Sequence, residues 1–336
     1  MKAAIFKAPR SKVEIVERET PRPASGEVLI RVRACGVCHG DVMVEQGEFP
    51  FAQYPVVPGH EIAGVVEEVG EGVEWLQPGT RIGLSALFSS CGRCKLCLTG
   101  REQMCSEFQF TGVTKDGGYQ EFMVAPAAYV TPLPDALGFA EAAPLMCAGL
   151  TVFGALRHGG FQPGFKVAVI GLGGLGHLAI LYAKAMGGRV AAVSTNPAKE
   201  PQALRLGAER FIVTQGSTGG EALRGWDGGA DLILATAPAV ETIAGAVHGL
   251  AADGTLVVLA APSGQIPVNP VELILGRRRI MGSPFGSRND LNEALEFAAV
   301  HGIRPWVQRC ALEGAGEALA TMDQSPICGR AVLMMD

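Results

Sequence analysis

Four cysteines form the densest group of possible metal ligands in the chain. They lie in the stretch CGRCKLCLTGREQMC and are Cys91, Cys94, Cys97 and Cys105. Thiolates at this spacing can converge on one tetrahedral Zn²⁺ and close a loop that has no core of its own. Because four thiolates leave no open coordination position, the pattern predicts a structural zinc ion. Disulfides, unrelated buried thiols or an iron-sulfur cluster are the alternatives, although nothing else in the sequence indicates electron transfer.

A second set of possible ligands is dispersed over the first 150 residues. It consists of Cys38, His39 and Asp41 in CGVCHGD, His60 and Glu61 in PGHE, and Cys147 in LMCAGLT. Any one of them alone, such as a cysteine in an apolar run, is more typical of core packing. Together, two thiolates and one neutral imidazole would offset the charge of Zn²⁺ and leave a fourth position open, as catalytic zinc requires. The other cysteines, Cys35, Cys310 and Cys328, are interpreted as structural.

A glycine-rich motif, GLGGLG, follows the apolar run KVAVI and precedes a helical pattern. Its positions of interest are Gly171, Gly173, Gly174, Leu175 and Gly176. Glycines here allow a tight turn and let backbone amides approach a pyrophosphate at a helix N-terminus. Because the motif stands between a predicted strand and a predicted helix, it predicts a dinucleotide-binding site.

The end of the next predicted strand indicates which dinucleotide binds. After RVAAV come Ser194, Thr195 and, a little further on, Lys199. A carboxylate at this strand end would be needed to bind a ribose 2′-hydroxyl, and none is present. Hydroxyls and a lysine suit a 2′-phosphate, so the sequence favours NADP(H) over NAD(H). The alternative is a polar turn with a solvated lysine.

Two kinds of structure must position these groups. Residues 1 to about 150 contain short alternating runs such as EVLIRVRA, separated by Gly and Pro, which predict a β-rich domain. From about Phe153, apolar strands alternate with amphipathic helices, the pattern of βαβ units with a parallel sheet. The last stretch, from NDLNEALEFAAVHG to RAVLMMD, either extends this sheet or returns to the first domain, and the sequence leaves both open.

Composition excludes several classes of partner. The chain has 336 residues, enough for two domains, and a formal net charge of -5. It has no basic run longer than residues 277–279, so we expect neither nucleic acid nor a membrane surface as partner. The apolar stretch VAVIGLGGLGHLAILYA is interrupted by glycines and predicts a strand, a turn and a buried helix. No export signal is visible at the N-terminus, and we expect a cytoplasmic protein with reduced cysteines.

With these motifs in this order, the chain resembles the zinc-dependent medium-chain dehydrogenase/reductase family over essentially its whole length. It is most similar to the bacterial alcohol dehydrogenases and the cinnamyl-alcohol-dehydrogenase-like reductases. GHEIAGVVEEVG, the four-cysteine segment, CAGLTVFGAL and GLGGLG carry the resemblance. It implies an α/β fold with a GroES-like β-rich catalytic domain over residues 1–153 and a doubly wound Rossmann domain with a parallel sheet over 154–286. Residues 287–336 would return to the catalytic domain.

The resemblance also implies roles for the dispersed ligands, in a site between the two domains. Cys38, His60 and Cys147 would hold a catalytic zinc ion, which would be the second zinc of each chain. Glu61 would sit beside that ion as an occasional exchange ligand, and Asp41 would orient His60.

Further positions are matched to the cofactor. The resemblance places Thr151 near the nicotinamide, and His39 and Arg330 within reach of the pyrophosphate. STNPAK is similar to the loop that binds the 2′-phosphate in NADP-dependent reductases.

The activity implied is that of an alcohol dehydrogenase or aldehyde reductase, which transfers a hydride between NADP(H) and a small alcohol or carbonyl compound. Relatives of this length are commonly homodimers or homotetramers. Most relatives have a hydroxyl residue where this chain has Gly40, and many have a proton-relay histidine where it has Met43. This departure leaves reduction of iminium or conjugated C=C bonds as an alternative, and a non-enzymatic dinucleotide-binding protein as a remote one. Phe88 and Phe285 are expected in an apolar substrate pocket, although core packing would explain either one.

Overall fold

The computed structural model describes residues 1–214, 219–260, 264–322 and 329–335, and Cys328 therefore lies outside the described residues. The chain divides into two units. The first comprises Met1–Leu150 and the described residues from Phe285 onward, and the second comprises the described residues of Thr151–Pro284. The boundaries expected from the sequence lie after residues 153 and 286.

The bounds of the regular elements are as follows. The strands are β1 (Lys2–Ile5), β2 (Glu14–Glu17), β3 (Glu27–Gly36), β4 (Ile62–Val69), β5 (Arg81–Leu84), β6 (Leu87–Ser89), β7 (Gln109–Phe110), β8 (Phe122–Pro126), β9 (Thr131–Pro132), β10 (Lys166–Ile170), β11 (Arg189–Ser194), β12 (Arg210–Val213), β13 (Ala230–Ala235), β14 (Leu250–Val258), β15 (Arg279–Gly282), β16 (Val307–Ala311) and β17 (Arg330–Met334). The α-helices are α1 (His39–Gln46), α2 (Lys95–Leu98), α3 (Phe139–Pro144), α4 (Leu150–His158), α5 (Gly174–Ala185), α6 (Glu200–Leu206), α7 (Gly219–Arg224), α8 (Val240–Ala246), α9 (Pro270–Gly276), α10 (Arg288–Val300) and α11 (Ala315–Ala320).

The first unit is built around a largely antiparallel sheet. Its strands run in the order β16-β17-β3-β4-β5-β9, and β8 also pairs with β3. Strand β3 lies at the centre, because β17, β4 and β8 all pair with it in antiparallel register. The C-terminal β17 joins this sheet, which decides between the two positions that the sequence left open. The apolar side chains of β3 and β4 enter the main core of the unit.

The second unit contains a parallel sheet with the order β12-β11-β10-β13-β14-β15. Each neighbouring pair in this order is parallel. Parallel strands buried on both faces need nearly continuous apolar sequence, and KVAVI and DLILA supply it. The strand order reverses between β10 and β13, so a topological switch point lies at the C-terminal end of β10. The doubly wound parallel sheet expected from the sequence is present.

One helical stretch of the described residues, Phe139–His158, is long and apolar enough to cross a membrane by length and composition alone. It comprises α3, a π-helical turn at Leu145–Gly149, and α4. Within its most apolar window, 83% of the residues are buried inside the protein. Such burial is characteristic of a core helix, whose apolar side chains pack against protein.

Candidate functional site

Cys38 is positioned by the end of β3 and the start of α1. The residue is the N-cap of α1 and has extended backbone geometry. Its backbone N–H donates to Asp41 Oδ2 over 2.8 Å, so the aspartate three residues further on satisfies an amide that the helix leaves unpaired. The sequence CHGD therefore holds Cys38 at a fixed position, with its side chain 6% exposed.

Asp41 is a buried carboxylate that receives hydrogen bonds from three parts of the chain. Besides Cys38 N, it accepts from the backbone N–H of Gly59 over 3.0 Å and from the Tyr119 hydroxyl over 3.0 Å. Its Oδ1 lies 3.3 Å from His60 Nδ1. A carboxylate at Nδ1 fixes the imidazole tautomer and leaves Nε2 as the atom that can bind a metal ion. Asp41 therefore lies where it can orient His60, the role that the resemblance implies.

Cys147 enters the same site from the long helical stretch. It lies in the π-helical turn between α3 and α4, a local widening of the helix that is frequent at functional positions. Its sulfur is 4.0 Å from the sulfur of Cys38. Two thiolates on one tetrahedral zinc ion, with Zn–S bonds of ~2.3 Å, lie ~3.8 Å apart. The separation of the two sulfurs therefore fits a shared metal ion.

Glu61 completes this group. The ligand atoms of Cys38, His60, Glu61 and Cys147 all lie within 4.8 Å of one another. Glu61 Oε1 lies 2.9 Å from Arg330 Nη2 as an ion pair, but neither carboxylate oxygen has a hydrogen-bond partner among the described residues. Burial raises the pKa of Glu61 to about 8, although the charge of Arg330 acts in the opposite direction. A buried carboxylate oxygen without a partner beside two thiols and an imidazole fits an additional metal ligand.

The neighbouring backbone makes room for this carboxylate. A Cβ at Gly36, the last residue of β3, would overlap Glu61 Oε2. Arg330 is 7% exposed, and its Nη1 also donates to the carbonyl of Val37 over 3.3 Å. The structure thus places Arg330 against Glu61 and the end of β3.

The protonation of the site suits a cation. The hydrogen bond between the two thiols lowers the pKa of Cys38 well below its usual value and raises that of Cys147. Burial lowers the pKa of His60, but the negative charges of Asp41 and Cys38 outweigh it and produce a net rise. Without a metal ion the group therefore holds protons on Cys147 and His60, and a divalent cation bound by the thiols and the imidazole would displace them.

The second cysteine group is also assembled. The sulfur atoms of Cys91, Cys94, Cys97 and Cys105 lie within 4.8 Å of one another. Cys97 is 3.8 Å from Cys91 and 3.5 Å from Cys94, again close to the sulfur spacing of a tetrahedral zinc site. None of the described cysteines forms a disulfide. The donor set and its spacing fit a zinc ion with four thiolate ligands.

Backbone amides in this lobe stabilise negative sulfur. Cys94 N–H donates to Cys91 Sγ over 3.4 Å, and Glu107 N–H donates to Cys105 Sγ over 3.4 Å. The backbone amides of Arg93 and Cys94 lower the pKa of Cys91 to about 7. Thiolate is the form that binds metal, so these amides favour the metal-binding form of Cys91. The backbone amide of Cys97 lowers the pKa of Cys94, but burial and the neighbouring thiols raise it to about 11, and a metal ion would displace that proton.

The glycine-rich motif forms the turn between β10 and α5, at the switch point of the parallel sheet. Gly171 has a φ of +95°, which a residue with a side chain rarely adopts. A Cβ at Gly176 would overlap the carbonyl oxygen of Gly171, so this glycine lets α5 pack closely on the turn. A Cβ at Gly173 would meet nothing within 4 Å. The open space beside Gly173, at the N-terminus of a 12-residue helix, fits a dinucleotide pyrophosphate.

The residues proposed for the 2′-phosphate lie at the end of β11. Ser194 is buried and its hydroxyl accepts from Asn196 N–H over 3.2 Å, whereas Thr195 is exposed. Lys199 Nζ donates to the carbonyl of Leu172 over 2.9 Å. The lysine thus extends from the end of the second strand to the glycine-rich turn, and its ammonium group lies beside that turn.

The remaining predicted residues have different surroundings. His39 is exposed in the first turn of α1, and Thr151 is buried, four residues after Cys147 in the same helical stretch. Phe88 is buried in the main core of the first unit. The role of Tyr119 was missed, because it lies 78 residues from Asp41 and nothing in GGYQEF indicates the contact.

Phe285 belongs to an aromatic group beside the dispersed ligands, which we call the phenylalanine array. Its members are Phe49, Phe51, Phe108, Phe110 and Phe285. The ring of Phe110 lies edge-on to the ring of His60, with centroids 5.9 Å apart. Of these five residues, only Phe285 was expected from the sequence to line a substrate pocket.

Comparison with known proteins relates the whole chain to alcohol dehydrogenases. A family model for the alcohol dehydrogenase GroES-like domain matches residues 24–135, and one for zinc-binding dehydrogenases matches 174–300. An alcohol dehydrogenase of Geobacillus stearothermophilus is 40% identical over 337 aligned residues, which cover 100% of both chains.

Solved structures agree with these matches. A cinnamyl alcohol dehydrogenase from Sorghum bicolor superposes with a TM-score of 0.92 at 32% identity, covering 99% of this chain and 97% of that one. A cobalt- and zinc-bound thermostable alcohol dehydrogenase from Pyrobaculum aerophilum superposes with a TM-score of 0.89 at 28% identity, covering 100% and 99%. The likeness extends over both units of the chain.

Proposed function

Because the chain belongs to the zinc-type medium-chain alcohol dehydrogenase family, we propose that it is a zinc-dependent enzyme that interconverts alcohols and carbonyl compounds with NADP(H). One observation carries the proposal: Cys38, His60 and Cys147, from three distant segments, bring two sulfurs and one imidazole together in a buried site. With Glu61 as an exchangeable fourth ligand, a substrate oxygen could take its place on the ion, as catalytic zinc requires.

The catalytic zinc would be held by Cys38, His60 and Cys147. Glu61 would bind the ion when another ligand, such as water or substrate, leaves it. When bound there, the ion supplies a Lewis acid that polarises the oxygen of the substrate. The chain's own residues fix that position: Asp41 holds the imidazole by Nδ1, and Arg330 retains the Glu61 carboxylate at 2.9 Å. The second zinc ion would be held by Cys91, Cys94, Cys97 and Cys105, where all four ligands come from the protein and the role is structural.

The dinucleotide would bind at the glycine-rich turn and supply or accept the hydride. The turn offers open space at Gly173 and the amides that begin α5. We assign NADP(H) because β11 ends in Ser194 without a carboxylate, and because the Lys199 ammonium group lies beside the turn. Thr151, His39 and Arg330 remain proposed contacts of the nicotinamide and the pyrophosphate.

Gly40 bears on the route by which the proton of an alcohol would leave the site. A Cβ at Gly40 would lie 2.9 Å from His60 Cε1, so a residue with a side chain there would press on the imidazole ring. Gly40 itself offers no hydroxyl, and we propose that the proton leaves through water or the ribose of the cofactor. The relatives do not favour the alternative of iminium or conjugated C=C reduction, since relatives that are 37–40% identical over 99% or more of this chain are named as alcohol dehydrogenases.

We also propose that the protein is a homo-oligomer located in the cytoplasm. Among the described residues, β15 is an edge strand of the parallel sheet and pairs only with β14. Its free edge can therefore pair with a second copy of the chain. The preceding α9 exposes Val271, Ile274 and Leu275 by 54%, 74% and 83%. A reducing compartment suits two sites that need free thiols.

The proposal is tested by metal analysis together with a panel of alcohols and aldehydes, each assayed with all four nicotinamide cofactors. We expect two zinc ions per chain, turnover of alcohols with NADP⁺ and of aldehydes with NADPH, and loss of turnover after chelation. Metal confined to the four-cysteine lobe, with no turnover of either class, would overturn it.

A further inference from the structure

We infer that the phenylalanine array binds an aromatic ring of the substrate, and that the enzyme prefers alcohols and aldehydes with an aryl group close to the reacting carbon. The inference rests on the proposed function and names its substrate class.

The array begins at the metal-ligand group and extends outward. Phe110 is its central member, because its ring contacts those of Phe49, Phe108 and Phe285 at centroid distances of 5.8, 6.0 and 5.4 Å. The same ring lies edge-on to His60 at an interplanar angle of 89°. The aromatic surface therefore begins at Phe110, whose ring contacts the proposed zinc ligand His60.

The array is assembled from three separate segments of the first unit. Phe49 and Phe51 follow α1, Phe108 and Phe110 lie at β7, and Phe285 begins the C-terminal part of the unit. Local packing of neighbours in sequence cannot produce such a convergence. The array lies at the edge of the core. Phe6 and Phe88 inside the core are 0% and 7% exposed, whereas Phe49 and Phe110 pack against it, no member of the array is fully buried and Phe51 is 47% exposed.

Partly exposed aromatic rings beside a buried polar site have a defined preference for ligands. Contiguous exposed apolar surface on a soluble protein commonly marks a binding site, and ligand pockets combine apolar walls with a few polar groups. Aromatic rings prefer edge-to-face and offset arrangements with centroids 4.5–7 Å apart, the range in which all the array contacts fall. A further ring from the substrate continues this arrangement, whereas a saturated group of the same size gains only apolar contact.

The experiment compares pairs of substrates that differ only in the ring. We would measure kcat/KM for 3-phenylpropan-1-ol against 3-cyclohexylpropan-1-ol, and for the corresponding aldehydes, with butan-1-ol as a substrate that has no ring. In the wild-type enzyme we expect the phenyl compound to be favoured about 3- to 10-fold over its cyclohexyl analogue. In Phe110→Leu, which keeps an apolar side chain but removes the central ring, the ratio should fall to about 1, mainly through KM.

A matched control is available in the second unit. Phe161 pairs with Phe165 in an edge-on contact at 5.9 Å, outside the array. Phe161→Leu removes one ring of an aromatic pair and should leave both the substrate ratio and the turnover of butan-1-ol at wild-type values. Zinc content of each variant reports whether the metal-ligand group has survived the substitution.

The outcomes separate this inference from the proposed function. Turnover of butan-1-ol without a preference for the phenyl compounds, or a preference that Phe110→Leu leaves intact, overturns the inference alone. No turnover of any alcohol or aldehyde by zinc-loaded wild-type enzyme overturns the proposed function, and the inference with it.

Discussion

Tyr119 donates its hydroxyl hydrogen bond to Asp41 Oδ2 over 3.0 Å, and both side chains are completely buried. Asp41 Oδ1 in turn lies 3.3 Å from His60 Nδ1, so one carboxylate links the tyrosine to a proposed zinc ligand. Groups that hydrogen-bond to a metal ligand set its orientation and its basicity, and their loss commonly weakens metal binding by about 10- to 100-fold. We therefore expect Tyr119 to act as a positioning residue for the proposed zinc ligand His60.

Tyr119→Phe tests this relationship, because it removes the hydroxyl and keeps the ring. We expect about 10-fold weaker zinc binding at the Cys38 site and a changed visible spectrum of the cobalt-substituted protein. Competition with a chromophoric chelator and the cobalt spectrum are the two measurements. Tyr182→Phe is the control, since Tyr182 is a buried tyrosine of the second unit. Identical metal affinities and spectra in wild type and Tyr119→Phe would show that the hydroxyl has no role in positioning.

Cys38→Ser should reduce the metal content from two zinc ions per chain to one. A serine hydroxyl is a poor zinc ligand at neutral pH, whereas the four-cysteine lobe keeps all its thiols. We expect turnover to be lost while the lobe stays metallated, as measured by elemental analysis and assay of the same sample. Cys310→Ser is the matched control, because Cys310 lies on β16 outside both ligand groups, and it should retain two zinc ions. Full activity in Cys38→Ser would remove Cys38 from the chemistry.

Lys199→Ala should lower the preference for NADPH. The wild-type ratio of kcat/KM for NADPH over NADH is expected to be well above 1, because an ammonium group beside the glycine-rich turn favours the added charge of a 2′-phosphate. Loss of one charge-assisted hydrogen bond costs about 1.5–3 kcal/mol, so the ratio should fall by about 10-fold or more.

The control for Lys199→Ala is Lys184→Ala, which removes a lysine from the last turn of α5, at the end opposite the glycine-rich turn. It should leave the cofactor ratio unchanged. A wild-type enzyme that clearly prefers NADH would contradict the assignment of NADP(H) from the start.

The sequence predicted those parts of the site that depend on local spacing. Cys91 to Cys105 and the GLGGLG turn are each contained in one short segment, so residue types and intervals sufficed to indicate what they could bind. Residue type alone grouped Cys38, His60 and Cys147 as possible zinc ligands, but they lie 22 and 87 residues apart, and no short spacing motif joins them. Their assignment to one catalytic site therefore came from the family resemblance.

Contacts between distant segments were beyond the sequence. The pairing of β17 with β3 was one of two open possibilities, since the sequence of an apolar strand does not indicate which other strand it pairs with. Phe88 and Phe285 looked equivalent, yet the first is a core residue and the second belongs to the phenylalanine array. Burial of a single phenylalanine depends on the surfaces that fold over it, and these are far away in the chain.

Two glycines of the same turn should respond to alanine in opposite ways. A Cβ at Gly176 would overlap the carbonyl of Gly171, so Gly176→Ala must separate α5 from the turn and should destabilise the protein by about 1–3 kcal/mol. A Cβ at Gly173 meets nothing within 4 Å, and its φ of -116° is accessible to alanine, so Gly173→Ala should keep the wild-type melting temperature.

Kinetics with NADPH also distinguish the Gly173→Ala variant from Gly176→Ala. If the open space at Gly173 receives the pyrophosphate, the added methyl group occupies that space and should raise KM for NADPH at least 10-fold in a protein that is otherwise stable. Thermal unfolding without cofactor and steady-state kinetics with varied NADPH give the two measurements. A Gly173→Ala variant with wild-type KM would show that the dinucleotide does not approach the chain at this glycine, even if Gly176→Ala is destabilised as expected.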